Sequence, residues 1–582
     1  MSIPGMRRAT IGLTALAVTA LGAVTAAPDQ AEAGPKPVDV KLLAINDLHG
    51  NLEPPNSASS SGVINGVPAG GVEYLATQLA KLRGDSKKEQ KHTITVAAGD
   101  LIGASPLLSA AFHDEPTIES LNLAGLDFAS VGNHEFDEGA AELLRIQNGG
   151  CHPVDGCADG TPYKGAEFQY LSANAFKTET GKPLLPPYAV KKIDGVKVGF
   201  IGMTLEGTPE IVSQQGVAGL TFADEAETAN KYARVLQAQG VQSIVVLLHE
   251  GGVQTTGSDI NGCAGFSGPI VDIVNRMDPA IDAVVSGHTH QAYNCEVNGK
   301  LVTSASSFGR LVTDIDLSID RKTGDVLTAT ANNVVVTRDV AKDPAQTTLI
   351  NHYKTALGPV ATKVVGQTTE AITKTPEVLI GTAPCDYKVI KGSCGESALG
   401  NVIADAQLAA TDDEQGAVAA FMNPGGVRAD LDAGPVTYEE AFTVQPFANN
   451  LVTLDLTGAQ LYCMLEQQFT AGPTLLPSST VRYVVDLNGT NGTTADPCSG
   501  TRIVRGSLTI GGAAVTADAT YRITVNNFLS GGGDGFTVLT GGKNAVTGAI
   551  DLDAFVAYLT EKSPISAPAL DRIRTTAEVP AA

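Results

Sequence analysis

The stretch Asp127–Gly139, DFASVGNHEFDEG, decides how the chain is read. A short apolar run ends at Gly132, and an amide, an imidazole and two carboxylates come next as Asn133, His134, Glu135 and Asp137. The same punctuation recurs along the first half of the chain. "VKLLAIND" gives out at Asp47, "HTITVAAGD" at Asp100, "QSIVVLLHE" at His249 and "DAVVSGHTH" at His288. Runs this continuous in Val, Ile, Leu and Ala read as strands buried on both faces, alternating with helical stretches in a layered α/β (α+β) domain. Ligands of such sheets bind beyond the carboxyl ends of the strands, so these five strand-end residues are expected to converge.

The remaining features bound the class. A chain of 582 residues exceeds one ordinary core, and 43% apolar residues exclude general disorder. A formal net charge of -23 argues against wrapping nucleic acid or coating an anionic membrane, so an anionic substrate needs a local positive site such as a metal. Arg7 and Arg8, the uncharged stretch 9–27 and the small-x-small Ala31-Glu32-Ala33 form an export signal over residues 1–33. The expected product is secreted and free of the membrane once cleaved. Eight cysteines fit an oxidising compartment and fall as near neighbours: Cys151 with Cys157, Cys263 with Cys295, Cys385 with Cys394, Cys463 with Cys498.

"NDLHG" sets Asp47 and His49 two residues apart, a spacing that on an extended backbone turns both side chains to one side. "SGHTHQ" does the same with His288 and His290. With Asp100, Asn133 and His249 this makes two carboxylates, four imidazoles and one amide, a set suited to two divalent cations sharing one carboxylate. Glu135 and Glu250 read as solvated neighbours.

The blocks "NDLHG", "GDLIG", "GNHEFD", "LLHEGG" and "GHTHQ" resemble, in order, the metal-binding blocks of calcineurin-like metallophosphoesterases. "MNPGGVRADL" and "NFLSGGGDGF" further resemble the substrate-binding blocks of the secreted 5′-nucleotidase family. The resemblance implies a four-layer β-sandwich flanked by helices over residues 38–340, a connector helix over 341–364 and a nucleotide-binding α/β domain over 365–575. It implies that Asp47, His49, Asp100 and His290 hold one metal and that Asp100, Asn133, His249 and His288 hold the second, zinc or manganese being the expected ions. His134, oriented by Asp137, would then stabilise charge during in-line attack of a metal-bound hydroxide on phosphorus.

By the same resemblance Asn423 and Arg428 contact the nucleotide, Phe447 and Phe528 sandwich the base, and Asp534 bonds the ribose hydroxyls. The expected activity is phosphate release from extracellular 5′-nucleotides by a monomer whose partner is the small substrate. Alternatives are a 2′,3′-cyclic phosphodiesterase with 3′-nucleotidase activity, a UDP-sugar or diphosphate hydrolase, and a secreted binding protein that has lost catalysis. One departure is visible: "CGESALGN" lacks an arginine that some nucleotidases place before this helix, with Lys388 and Lys391 as the nearby cations.

Overall fold

Val, Ile and Leu dominate the strands because a pleated surface covered on both faces rewards β-branched and aliphatic packing. Twelve strands of the first half build two six-stranded sheets. In chain order they are β1 (Val38–Ile45), β2 (Thr93–Ala98), β3 (Phe128–Ser130), β4 (Gln169–Leu171), β5 (Tyr188–Ile193) and β6 (Val196–Thr204). Then come β7 (Ser243–His249), β8 (Ala283–Ser286), β9 (Ala292–Val297), β10 (Lys300–Ala305), β11 (Leu311–Ile319) and β12 (Val326–Val335). One sheet runs β12-β11-β1-β2-β3-β4 and the other β9-β10-β8-β7-β6-β5. The pairs β1–β2, β2–β3, β6–β7 and β7–β8 are parallel, and β1–β11 and β5–β6 are antiparallel.

The sheets pack face to face through Leu42, Val96, Phe200, Val245, Leu247 and Ile315. Their outer faces bury helices: Val72–Arg83, Glu115–Ala124 and Ala140–Asn148 on the first, Glu225–Ala238 and Pro269–Arg276 on the second. This is the helix–sheet–sheet–helix layering that the family resemblance implies.

This computed structural model describes residues 36–55, 62–212, 216–255, 259–375, 378–379, 395–447, 449–470, 473–493 and 495–576. The export signal, Cys385, Cys394, Lys388 and Lys391 lie outside them. Disulfides join Cys151 to Cys157, Cys263 to Cys295 and Cys463 to Cys498, as nearest-neighbour pairing anticipates. Among the described residues no helix is long and apolar enough to cross a membrane.

The helix Pro344–Leu357 starts where the Asp343 carboxylate accepts the Ala345 and Gln346 N–H groups, and ends at Gly358 with φ 64°. It is not a bare polar rod. Gln346 is buried, donating to Ser120 O (2.9 Å) and accepting from Ser120 Oγ (2.8 Å), and Tyr353 sets its edge on Phe112.

Beyond it a five-stranded sheet runs Leu476–Pro477, Ala419–Met422, Thr520–Asn526, Asn450–Thr457, Lys543–Ile550. Its parallel pair, Ala419–Met422 with Thr520–Asn526, ends side by side at Asn423 and Asn526. The strand-end rule of the first half therefore applies again here.

Because both sheets of the first half rest on one shared core, Leu247→Ala, at a position 0% exposed, is expected to cost about 2–5 kcal/mol. Val418→Ala, at a position 41% exposed, should stay within about 0.5 kcal/mol. Urea unfolding of both variants checks this, and a near-silent Leu247→Ala would mean the sheets are not packed there.

Candidate functional site

Each strand that ends at a predicted ligand delivers it to one place. Asp47 and His49 come after β1, Asp100 after β2 and Asn133 after β3, His249 closes β7, and His288 and His290 come after β8. Ligand atoms of Asp47, His49 and His290 lie within 4.8 Å of one another, as do those of Asp100, His249 and His288. Asn133 Oδ1 lies 3.1 Å from His288 Nδ1. All seven predicted residues are thus brought together, contributed by both sheets.

The local backbone corrects one expectation. Asp47, His49, Asp100, His288 and His290 are not extended; their φ values are 50°, 45°, 48°, 70° and 56°. β1 has stopped at Ile45, and the side chains converge through left-handed turns rather than through strand alternation. Such conformations cost a non-glycine residue about 1–2 kcal/mol each, and Asp, Asn and His tolerate them best. Hydrogen bonds hold them: Asp47 N–H donates to Gly99 O and His49 N–H to Asp100 O, both at 3.0 Å. The His288 N–H meets both Asp47 carboxylate oxygens at 3.1 Å. The surrounding glycines leave room for this; a Cβ on Gly287 would lie 2.6 Å from Ala98 O and 2.9 Å from Asp47 Oδ2.

The chemistry of the donor set tests whether it fits cations. His49 Nδ1–H donates to Gly103 O at 2.9 Å, so in the neutral ring Nε2 carries the lone pair, and it faces His290 Nε2 at 3.1 Å. His249 repeats the arrangement. Its Nδ1–H donates to Ala98 O at 2.8 Å, which leaves the buried Nε2 facing Asp100 Oδ2 at 2.9 Å. His290 Nε2 also sits 3.2 Å from Asp47 Oδ1. Acceptors that face acceptors repel unless a proton or a cation lies between them. These separations match the edges of a coordination shell with bonds of about 2.0–2.2 Å. The residues present fit two adjacent divalent cations.

Glu135 and Glu250 are not solvated neighbours, being 3% and 8% exposed. Glu135 accepts N–H groups from Asp100 (3.0 Å), Leu101 (2.8 Å) and Gly132 (2.5 Å), so it ties the ends of β2 and β3 together. Burial and the nearby Asp100 push its pKa up to about 7. Glu250 accepts from Gly251 N–H at 2.7 Å. Sequence reasoning missed both because a carboxylate bonding to backbone leaves no periodic signal.

His134 opens a short 3₁₀ turn, His134–Phe136, with its N–H on Asp100 Oδ1 at 2.9 Å and its Nδ1 2.7 Å from Asp137 Oδ2. Burial alone would lower the His134 pKa, but the Asp137 and Asp100 carboxylates outweigh it and hold the imidazole above its ordinary value. The ring meets His49 edge-on at 5.1 Å.

The predicted substrate residues form two groups. Phe447 stacks on His134 (centroids 5.6 Å, planes 18° apart), and the Arg428 guanidinium lies 5.6 Å above the Phe447 ring. Burial lowers the Arg428 pKa, and Asp100, Asp137 and Asp47 oppose that shift. In the second group Asn423 Nδ2 donates to Asp534 Oδ2 at 3.0 Å, and Asn526 Nδ2 donates to Asn423 Oδ1 at 2.9 Å. Phe528 lies against Gly533, and the Gly533–Gly535 turn carrying Asp534 (φ 55°) packs on the short helix Thr208–Ile211 of the first half.

Residues 40–292 match the family model of the calcineurin-like phosphoesterases, and residues 364–541 match that of the 5′-nucleotidase C-terminal domain. The chain is 32% identical to the cell wall protein Lmo0130 of Listeria monocytogenes, covering 91% of this chain and 68% of that protein. It is 34% identical to the endonuclease YhcR of Bacillus subtilis over 90% of this chain, which spans only 40% of that longer relative. Among solved structures it superposes on a 5′-nucleotidase precursor from Thermus thermophilus with a TM-score of 0.72 and 26% identity, over 93% of this chain and 100% of that one. Two family matches in the order of the sequence blocks, and a relative matched over most of both lengths, lead to one conclusion: the chain belongs to the family of metal-dependent phosphoester hydrolases that join a calcineurin-like phosphoesterase domain to a 5′-nucleotidase C-terminal domain.

Proposed function

We propose that the protein is an exported hydrolase that removes phosphate from nucleotides, acting as a 5′-nucleotidase with a two-cation centre. The observation that carries the reading is the close approach of ligand-type atoms of Asp47, His49, His290, Asp100, His249 and His288, directly beside the His134–Asp137 pair. Asp47, His49, Asp100 and His290 would hold one divalent cation, and Asp100, Asn133, His249 and His288 the other, with zinc or manganese suited to this mixed nitrogen and oxygen set. When bound, such a pair supplies Lewis acidity toward phosphoryl oxygens and a local positive field in an otherwise acidic chain.

The chain's own residues account for the rest. Asp137 engages Nδ1 of His134, so Nε2 is the atom left to face a phosphoryl group. An imidazolium there stabilises charge that grows on the phosphoryl or leaving oxygen. Arg428 adds a second positive group from the C-terminal half. Phe447 and Phe528 offer faces for a base, a contact worth about 1–3 kcal/mol per base, and Asn423 with Asp534 offers acceptors and donors for ribose hydroxyls. The division into a catalytic domain over 38–340, a connector over 341–364 and a substrate domain over 365–575 belongs to this reading.

One relative is named as an endonuclease, which raises polymeric nucleic acid as a substrate for that protein. The net charge of -23 favours mononucleotides here, because a polyanion would be repelled along its length. Disulfides, an export signal and a relative named as a cell wall protein support a location outside the cytoplasm.

Metal-stripped protein should release no phosphate from AMP, and zinc or manganese should restore release. Comparing AMP with 3′-AMP, 2′,3′-cyclic AMP and UDP-glucose ranks the neighbouring activities, and metal-loaded protein inert toward all four sinks the reading. His134→Ala should lower kcat about 10²–10⁴-fold with metal content unchanged. Arg428→Ala loses a charge-assisted contact of about 1.5–3 kcal/mol, so kcat/KM for AMP should fall roughly 10–100-fold. A variant equal to the parent would remove Arg428 from the phosphate's path.

A further inference from the structure

Asn46 precedes the first ligand and received no role from its residue type or spacing. It is 2% exposed, and every polar atom of its side chain is committed. Nδ2 donates to Asp47 Oδ2 and to Ser306 O, both at 2.6 Å, while Oδ1 accepts the Ala305 N–H at 2.8 Å. The amide therefore staples the end of β1 to the end of β10, two strands that lie in different sheets.

The turn after β10 completes the frame. Phe308 N–H donates to Asp47 O at 2.7 Å, and Ser306 Oγ donates to His290 O at 3.2 Å. The Phe308 ring lies 6.0 Å from the ring of His49 and 5.4 Å from that of His290, walling both imidazoles. Ser306 and Phe308 hold φ values of 60° and 61°, a conformation an aromatic residue keeps only where its surroundings fix it. Arg310, 8% exposed, does that fixing by donating to Ser306 Oγ (2.9 Å), Ser307 Oγ (2.8 Å) and Ser307 O (3.0 Å).

The consequence is a choice between two carboxylate oxygens. An aspartate can turn either toward a cation. The Asn46 N–H engages Oδ2 of Asp47, and Oδ1 is the oxygen that lies 3.2 Å from His290 Nε2 and 3.9 Å from His49 Nε2. The Asp100–His249 side is braced by other groups, Glu135 on Asp100 N–H and Ala98 O on His249.

We propose that Asn46, together with the Ser306–Phe308 turn, is the positioning frame of the Asp47–His49–His290 half of the centre, and that this half takes up its divalent cation only while the frame is intact. The inference rests on the two-cation reading above. Outer partners that orient a metal ligand are typically worth 10–100-fold in affinity, and Asn46 orients a ligand that belongs to that half alone.

The test is metal content by mass spectrometry, after dialysis against buffered zinc, of the full chain and of Asn46→Ala, Asn46→Asp and Phe308→Leu. The parent should hold two zinc ions per chain. Asn46→Ala and Asn46→Asp should hold one at zinc levels that saturate the parent, the second returning only at roughly 10–100-fold higher zinc. Phe308→Leu, which leaves the amide contacts in place, should weaken the same ion by a smaller factor. Circular dichroism of the metal-free proteins separates a lost site from a lost fold, and where an Asn46 variant does not fold, Phe308→Leu decides. Two ions bound as tightly as in the parent, or both ions lost together from a folded variant, would overturn the frame. A parent that binds no zinc would overturn the two-cation reading itself.

Discussion

Ring nitrogens and carboxylate oxygens that face one another across about 3 Å are the constraint around which the first half of this protein is arranged. His49 and His249 each have one nitrogen engaged by a backbone carbonyl, which turns the other toward a second acceptor. Where neither atom of such a pair carries a proton, the two repel. The cohesion of the site must come from protons or cations inside it and from the strands outside it. That explains why a turn such as Gly132–Asp137 crowds so many ligand-type groups into so few residues. Asn133 faces His288, His134 lies beside it, Glu135 bonds the backbone beneath, and Asp137 orients His134.

The five ligands at positive φ add strain to that repulsion. At about 1–2 kcal/mol each, the strain is a large fraction of the net stability of an ordinary domain, which is about 5–15 kcal/mol. It persists because hydrogen bonds tie these turns to one another. The His288 N–H on Asp47, the His134 N–H on Asp100 and the Asn46 amide on Asp47 each let one part of the site hold another in place.

The strands and the five residues at their ends, Asp47, Asp100, Asn133, His249 and His288, were legible in the sequence for one reason, whereas the four layers were implied by the family resemblance. A strand buried on both faces writes a continuous apolar run, and the break in that run marks its end. The segments beyond each break are not periodic, and there the reading failed in identifiable ways. The Asp47–His49 spacing suggested strand alternation, whereas the strand had already ended at Ile45. Glu135 and Glu250 looked like surface charges because nothing local distinguishes a carboxylate that faces water from one that accepts backbone N–H groups. Asn46, Ser306 and Phe308 gave no signal, since the contacts that join them span some 260 residues of chain. In the second half Phe447 lies on His134 and Phe528 against the Gly533 turn, contacts that no local pattern announces.

The use of two sheets follows from the same constraint. Asp47, His49, Asp100 and Asn133 come from one sheet, and His249, His288 and His290 from the other, so distances across the centre, such as His249 to Asp100 and His290 to Asp47, are also distances between sheets. A single parallel sheet would line its ligands along an edge, in one row. Two stacked sheets about 10 Å apart close the row into a ring, provided the strands beneath the ligands do not slide. The packing of Leu42, Val96, Val245 and Leu247 thus sets the spacing of these side chains as much as it stabilises the fold. The interior is close-packed and resists small shifts, so a small displacement in that core would be passed to the ligands instead of being absorbed. The Asn46 amide bridges the two sheets at the rim, where the core ends and the ligands begin. It is the last point at which their spacing can be fixed before it becomes the spacing of the site.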